Sequence, residues 1–83
     1  MKHYNITVSG KVQGVFYRQS TFDIAQQLGI KGLVQNETNG SVYIEAEGTV
    51  EQLKKFVEWC KKGPARAVVS DIKVLQAMLD DHT

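Results

Sequence analysis

The chain is short of most groups that usually carry chemistry. Its 83 residues hold one cysteine, one proline, one tryptophan and two histidines. A single cysteine, Cys60, cannot close an internal disulfide, so nothing calls for an oxidising compartment and the cytoplasm is the expected location. His3 and His82 lie in the terminal segments and Cys60 falls on a helical core face, so no metal-ligand spacing exists. Ser20 and Thr21 lack a histidine partner for nucleophilic catalysis. No apolar run reaches bilayer-spanning length, no leader pattern precedes the first strand, and no membrane partner is expected. A formal net charge of +1 with 23% charged residues gives no support for a duplex-binding protein. Without repeats, linkers or low-complexity tracts, residues 1–83 read as a single domain.

Two local absences are more telling. The first 22 residues contain Lys2, Lys11 and Arg18 and no carboxylate; the first acid is Asp23. Between Lys11 and Arg18 no Ser, Thr, Asp or Asn offers a side-chain oxygen to cap the helix that follows. Arg18 also stands at the end of the helix dipole that repels a cation. Uncapped amides beside a positive side chain make a poor helix start unless an anion sits there. The run Gly10-Lys11-Val12-Gln13-Gly14-Val15-Phe16-Tyr17-Arg18 therefore reads as a phosphate seat, in which Gly14 lets the backbone approach a ligand closely. The plainer reading makes Arg18 a solvent-facing helix residue. The Gly-Lys-Ser/Thr ending of a Walker loop is absent.

Periodicity supplies the scaffold. Tyr4 to Val8 alternates apolar and polar residues, as a half-buried strand does. Thr21, Ile24, Ala25 and Leu28 recur at helical steps, and Gly29 supplies a stop. Lys31 to Asn36 forms a strand, Asn39-Gly40 signals a hairpin, and Val42, Ile44 and Ala46 mark a third strand. Thr49 and Gln52 make a capping box for a second helix with Leu53, Phe56, Val57 and Cys60 inward and Trp59 at the edge. Glu51–Lys55 and Glu58–Lys62 are expected as ion pairs on that helix. Gly63-Pro64 ends it, and a last strand lies within Ala67 to Leu79, centred on Ser70 to Gln76. The order is βαββαβ: an α+β, ferredoxin-like two-layer sandwich with an antiparallel sheet and both helices on one face.

Asn36 has two readings. It is a turn-former capping local backbone groups, or its carboxamide reaches a water beside the phosphate seat. Phe16, Tyr17 and Phe22 are expected to pack in the core or against the loop, and Tyr43 and Trp59 to be half-exposed. An RNA-recognition domain shares the βαββαβ order, but Gly40 to Glu47 offers one aromatic and two acids where such a domain needs exposed aromatics. No nucleic-acid partner is expected.

The glycine-loop run resembles the signature loop of the acylphosphatases. Further matches follow in order at Thr21, Ala25, Leu28-Gly29, Gly32-Leu33-Val34-Gln35-Asn36, Asn39-Gly40-Ser41-Val42, Ala46-Glu47-Gly48 and Gly63-Pro64. The resemblance implies metal-independent hydrolysis of small acyl phosphates to carboxylate and inorganic phosphate, with no cofactor. By their match, the amides of Gln13, Gly14, Val15, Phe16, Tyr17 and Arg18 and the Arg18 guanidinium would hold the phosphate, while Asn36 would orient the attacking water. Tyr17 and Leu33 stand where the family more often has Phe and a large aromatic. Family members also continue into a fifth strand where this sequence reads Leu79-Asp80-Asp81-His82-Thr83, so that strand is expected to be missing. A monomer is expected, with a dimer as the alternative. The competing function is a non-catalytic anion-binding or protein-interaction module on the same scaffold.

Overall fold

The period-two pattern near the start folds as β1 (Lys2–Lys11), and the chain continues through α1 (Tyr17–Leu28), β2 (Lys31–Asn36), β3 (Val42–Gly48), α2 (Val50–Lys62) and β4 (Val68–Ala77). The structure is a computed structural model and describes residues 1–77. Its element order is the ferredoxin-like one read from the sequence. The sheet runs β2-β3-β1-β4 with every neighbouring pair antiparallel. β4 begins at Val68, within the span read from the sequence and slightly before its centre at Ser70 to Gln76. The expectation of a missing fifth strand falls on residues 78–83, outside the described residues.

Register explains why one face of the sheet is buried. Ile6 lies opposite Ile44 and Val8 opposite Val42, so these side chains share a face. All four are buried there with Ala46, under Leu53, Phe56 and Cys60 of α2. Each such aliphatic or aromatic side chain contributes about 1.5–3 kcal/mol when fully buried. The opposite face carries the alternate residues, among them His3, whose ring nitrogens lie 4.0 Å from a Glu45 oxygen and 3.8 Å from a Glu47 oxygen. No helix among the described residues is long and apolar enough to cross a membrane.

The ends of α2 follow their local sequence. The Gln52 N–H donates to the Thr49 hydroxyl at 3.1 Å, and the Thr49 N–H donates to Gln52 Oε1 at 2.8 Å, which completes the capping box. The charge pairing differs from expectation. Glu58 accepts from Lys61 at 3.1 Å rather than pairing with Lys62, and the described residues contain no Glu51–Lys55 bridge. Both Glu58 and Lys61 are exposed, so solvent leaves little difference between such pairings.

Two features aim the end of β1 at the start of α1. The β1–β4 register slips between Ser9 and Gly10, and Gly10 takes φ 123° where a Cβ would run into the Val68 carbonyl. Tyr17, only 1% exposed, then anchors the first turn of α1. Its hydroxyl donates to the Cys60 carbonyl at 2.7 Å, and its ring lies 5.6 Å from that of Trp59 at 42°. The Thr21 hydroxyl donates back to the Tyr17 carbonyl at 2.7 Å.

Burial sets the acid–base behaviour of this anchor. It raises the Tyr17 phenol pKa, and it raises the Cys60 thiol from 9.0 to about 12. The folded protein thus keeps protons that the unfolded chain releases first. The stabilisation is complete below the thiol's unfolded value and is lost as pH rises towards the folded one. In urea titrations the unfolding midpoint should stay level from pH 7 to about 9 and fall between about 9 and 12, less steeply in Cys60→Val. A midpoint that rises through that alkaline window would contradict the buried, neutral thiol.

Candidate active site

Between β1 and α1 the chain alternates side chains inward with backbone outward. Val12 and Val15 are buried and pin the loop to the core. Gly14, at φ 74°, has open space where a side chain would project. Phe16 sits at φ 61° and ψ 20°, the one described residue other than glycine with a positive φ, and caps α1 without any side-chain hydrogen bond. A bulky residue in that left-handed region costs on the order of 1 kcal/mol. Helical bonding begins where the Ser20 N–H donates to the Phe16 carbonyl at 2.9 Å. The preceding amides, from Gly14 to Gln19, meet no protein acceptor among the described residues. The first turn of α1 holds no acid, and Arg18 is exposed with no carboxylate bridge among the described residues. The seat inferred from missing caps is thus a row of free N–H donors beside a guanidinium.

Gln13 does something its spacing in the sequence does not show. Its Nε2 donates to the Glu37 carbonyl and to the Ser41 carbonyl, both at 2.8 Å. The loop is thereby tied to the turn joining β2 and β3. That turn closes itself: the Glu37 N–H donates to the Ser41 carbonyl at 2.9 Å, and the Gly40 N–H to the Glu37 carbonyl at 3.1 Å. Asn39 Oδ1 accepts from the Ser41 N–H at 3.0 Å and from its hydroxyl at 2.6 Å. Of the two readings for Asn36, the capping one therefore belongs to Asn39. The Asn36 carboxamide makes no hydrogen bond among the described residues and is available to a ligand.

The two halves meet across a cleft of about 450 Å³. Gly29 reverses the chain after α1, so β2 runs back along the helix and ends beside its start. Gln13, Gly14, Phe16, Tyr17 and Arg18 line one side and Asn36 the other. Val15 is not among the lining residues because its side chain is in the core. Tyr17 is buried as expected, but Phe16 and Phe22 are 76% and 50% exposed and stand at the cleft instead of packing inward. Phe16 is lifted from the core by its left-handed backbone, and Phe22 lies one helical turn beyond Arg18 on the side facing β2. Among the described residues no Asp, Glu, His or Cys lines the cleft. These residues can bind and polarise a tetrahedral oxyanion, but none of them is suited to proton transfer near neutral pH.

A ferredoxin-like α+β domain with a loop of free amides and an arginine ahead of its first helix is the class that fold and cleft define. The Acylphosphatase family model matches residues 4–83. An acylphosphatase of Marinobacter nauticus is 50% identical over 72 residues, which cover 87% of this chain and 78% of that protein. One of Thermotoga maritima is 46% identical over 74 residues, covering 89% and 82%. The crystal structure of acylphosphatase from Bacillus subtilis superposes with a TM-score of 0.91 at 39% identity, covering 93% of this chain and 86% of that one. The chain belongs to the acylphosphatase family.

The Gln13 tether gives a prediction for anion binding. Gln13→Ala loses two partly buried hydrogen bonds, so it should destabilise the fold by about 1–3 kcal/mol. It should also weaken inorganic phosphate binding several-fold, measured by calorimetric titration under folding conditions. Wild-type phosphate affinity in this variant would show that the tether does not shape the seat.

Proposed function

We propose that this chain hydrolyses acyl phosphates, cleaving the carboxyl–phosphate anhydride to a carboxylate and inorganic phosphate. One observation carries the reading. Arg18, a row of free loop amides and the unengaged carboxamide of Asn36 converge on a single cleft. The amides from Gln13 to Arg18 and the Arg18 guanidinium take the non-bridging phosphoryl oxygens. Asn36, on the opposite wall, orients a water against phosphorus.

The chemistry explains why so few groups suffice. A carboxylate is a weakly basic leaving group and departs without a general acid. The water oxygen bonds to phosphorus as the bond from phosphorus to the bridging oxygen breaks, and the electron pair leaves on the carboxylate. The water's proton passes to a phosphoryl oxygen, so the products are carboxylate and inorganic phosphate. The transition state gathers charge on the equatorial oxygens, where fixed donors act most strongly. Holding water and phosphorus in line supplies much of the remaining rate enhancement. The seat requires no metal or cofactor in this mechanism. A cytoplasmic monomer acting on a small molecule fits the free, buried Cys60 and a cleft formed within one chain.

Phosphate release from benzoyl phosphate without added metal tests the reading. Arg18→Ala should lower kcat/KM at least about a hundredfold and weaken inorganic phosphate binding. Asn36→Ala should lower kcat by roughly a hundredfold while phosphate affinity stays near wild type. Phosphate binding without turnover in the wild type would instead select the non-catalytic module.

A further inference from the structure

Phe16 is unexplained by the fold. It is a bulky residue in a left-handed conformation, 76% exposed, with no capping bond to offset the strain. Glycine would occupy the same backbone region freely. Exposed apolar surface also gains nothing from being there. Its position supplies the reason, because Phe16 and the half-exposed Phe22 stand at the same cleft, with Gln19 of the helix between them in sequence.

In-line displacement decides which part of the substrate meets them. Val34 and Asn36 of β2 line the cleft together with Phe16, Gln19 and Phe22 of the loop and helix. Water held by Asn36 attacks phosphorus from the β2 side. The departing carboxylate then lies on the far side of phosphorus from that water, and the rings of Phe16 and Phe22 are the exposed aromatic surface the cleft offers it. Charge restricts the choice further. Among the described residues Arg18 is the sole charged one lining the cleft, and the phosphoryl group engages it. A second anionic group on the acyl portion would find aromatic rings and a carboxamide instead of a cation.

We propose that Phe16 and Phe22 form the acyl subsite and select uncharged aryl or alkyl acyl phosphates over those with a second carboxylate. This rests on the acyl phosphate reading of the cleft. Apolar contact made with the part of the substrate remote from phosphorus raises kcat/KM for that substrate. The strain at Phe16 is retained because it places a phenyl ring where the leaving acyl group passes.

The test compares kcat/KM for benzoyl, acetyl and succinyl phosphate in wild type, Phe16→Gly and Phe22→Ala. Wild type should prefer benzoyl over succinyl phosphate by at least about tenfold. Either variant should cut the benzoyl-to-acetyl ratio roughly fivefold to tenfold, a comparison in which the intrinsic reactivities cancel. The urea midpoint of Phe16→Gly should not fall, because left-handed strain is relieved and little packing is lost. Ratios unmoved by both variants, or a lowered midpoint with unmoved ratios, would make Phe16 structural and overturn the subsite. Failure of the wild type to hydrolyse any of the three would instead overturn the acyl phosphate reading itself.

Discussion

A single carboxamide holds the two halves of the site together. Gln13 Nε2 bridges the carbonyls of Glu37 and Ser41 across 24 and 28 residues of sequence, and so fastens the glycine loop to the β2–β3 turn. Arg18 belongs to the first side of that junction and Asn36 to the second. Their separation across the cleft is set by the tether on one side and by the Tyr17 anchor on the other. Tyr17 fixes the start of α1 to the end of α2 through the Cys60 carbonyl. With both ends held, the free amides from Gly14 to Gln19 are carried by a segment fixed at two points. Such preorganisation is what makes hydrogen-bond donors effective in catalysis.

In the proposed reaction the site works by placing dipoles and one cation, and its sparseness suits an activated substrate. A mixed anhydride needs its phosphoryl charge stabilised and its water positioned, and little else. The groups that could titrate close by are neutralised by burial: the Tyr17 phenol is raised far above its ordinary value and the Cys60 thiol to about 12. They serve as packing and hydrogen-bonding elements. Phe16 departs from this packing logic, being strained and 76% exposed at the cleft.

Local signals in the sequence were sufficient for most of the architecture. The Thr49–Gln52 box, the stop at Gly29 and the alternation of Val42, Ile44 and Ala46 depend on neighbours a few residues away, and each stands in the structure as read. The uncapped start of α1 is legible through an absence, the lack of any short oxygen side chain before Arg18. Long-range choices were not legible. Nothing near Gln13 announces its partners at Glu37 and Ser41, and Asn36 and Asn39 are equivalent turn candidates until the hydrogen bonds divide their duties. Phe16 and Phe22 read as packing residues because aromatic character outweighs position in a pattern of periodicity. Their exposure follows from one backbone angle and one helical turn. The ion pair at Glu58 was also misassigned, since neighbouring lysines at an exposed helix end compete on nearly equal terms.

The proposed reaction stands or falls on whether the amides before Ser20, with Arg18, bind the phosphoryl group. Titration of the 15N-labelled protein with inorganic phosphate decides this. Saturable shifts are expected in the backbone amides of Gly14 to Gln19 and the Asn36 side-chain amide, lost in Arg18→Ala. Shifts centred elsewhere, or a loop left unperturbed at saturating phosphate, would contradict it.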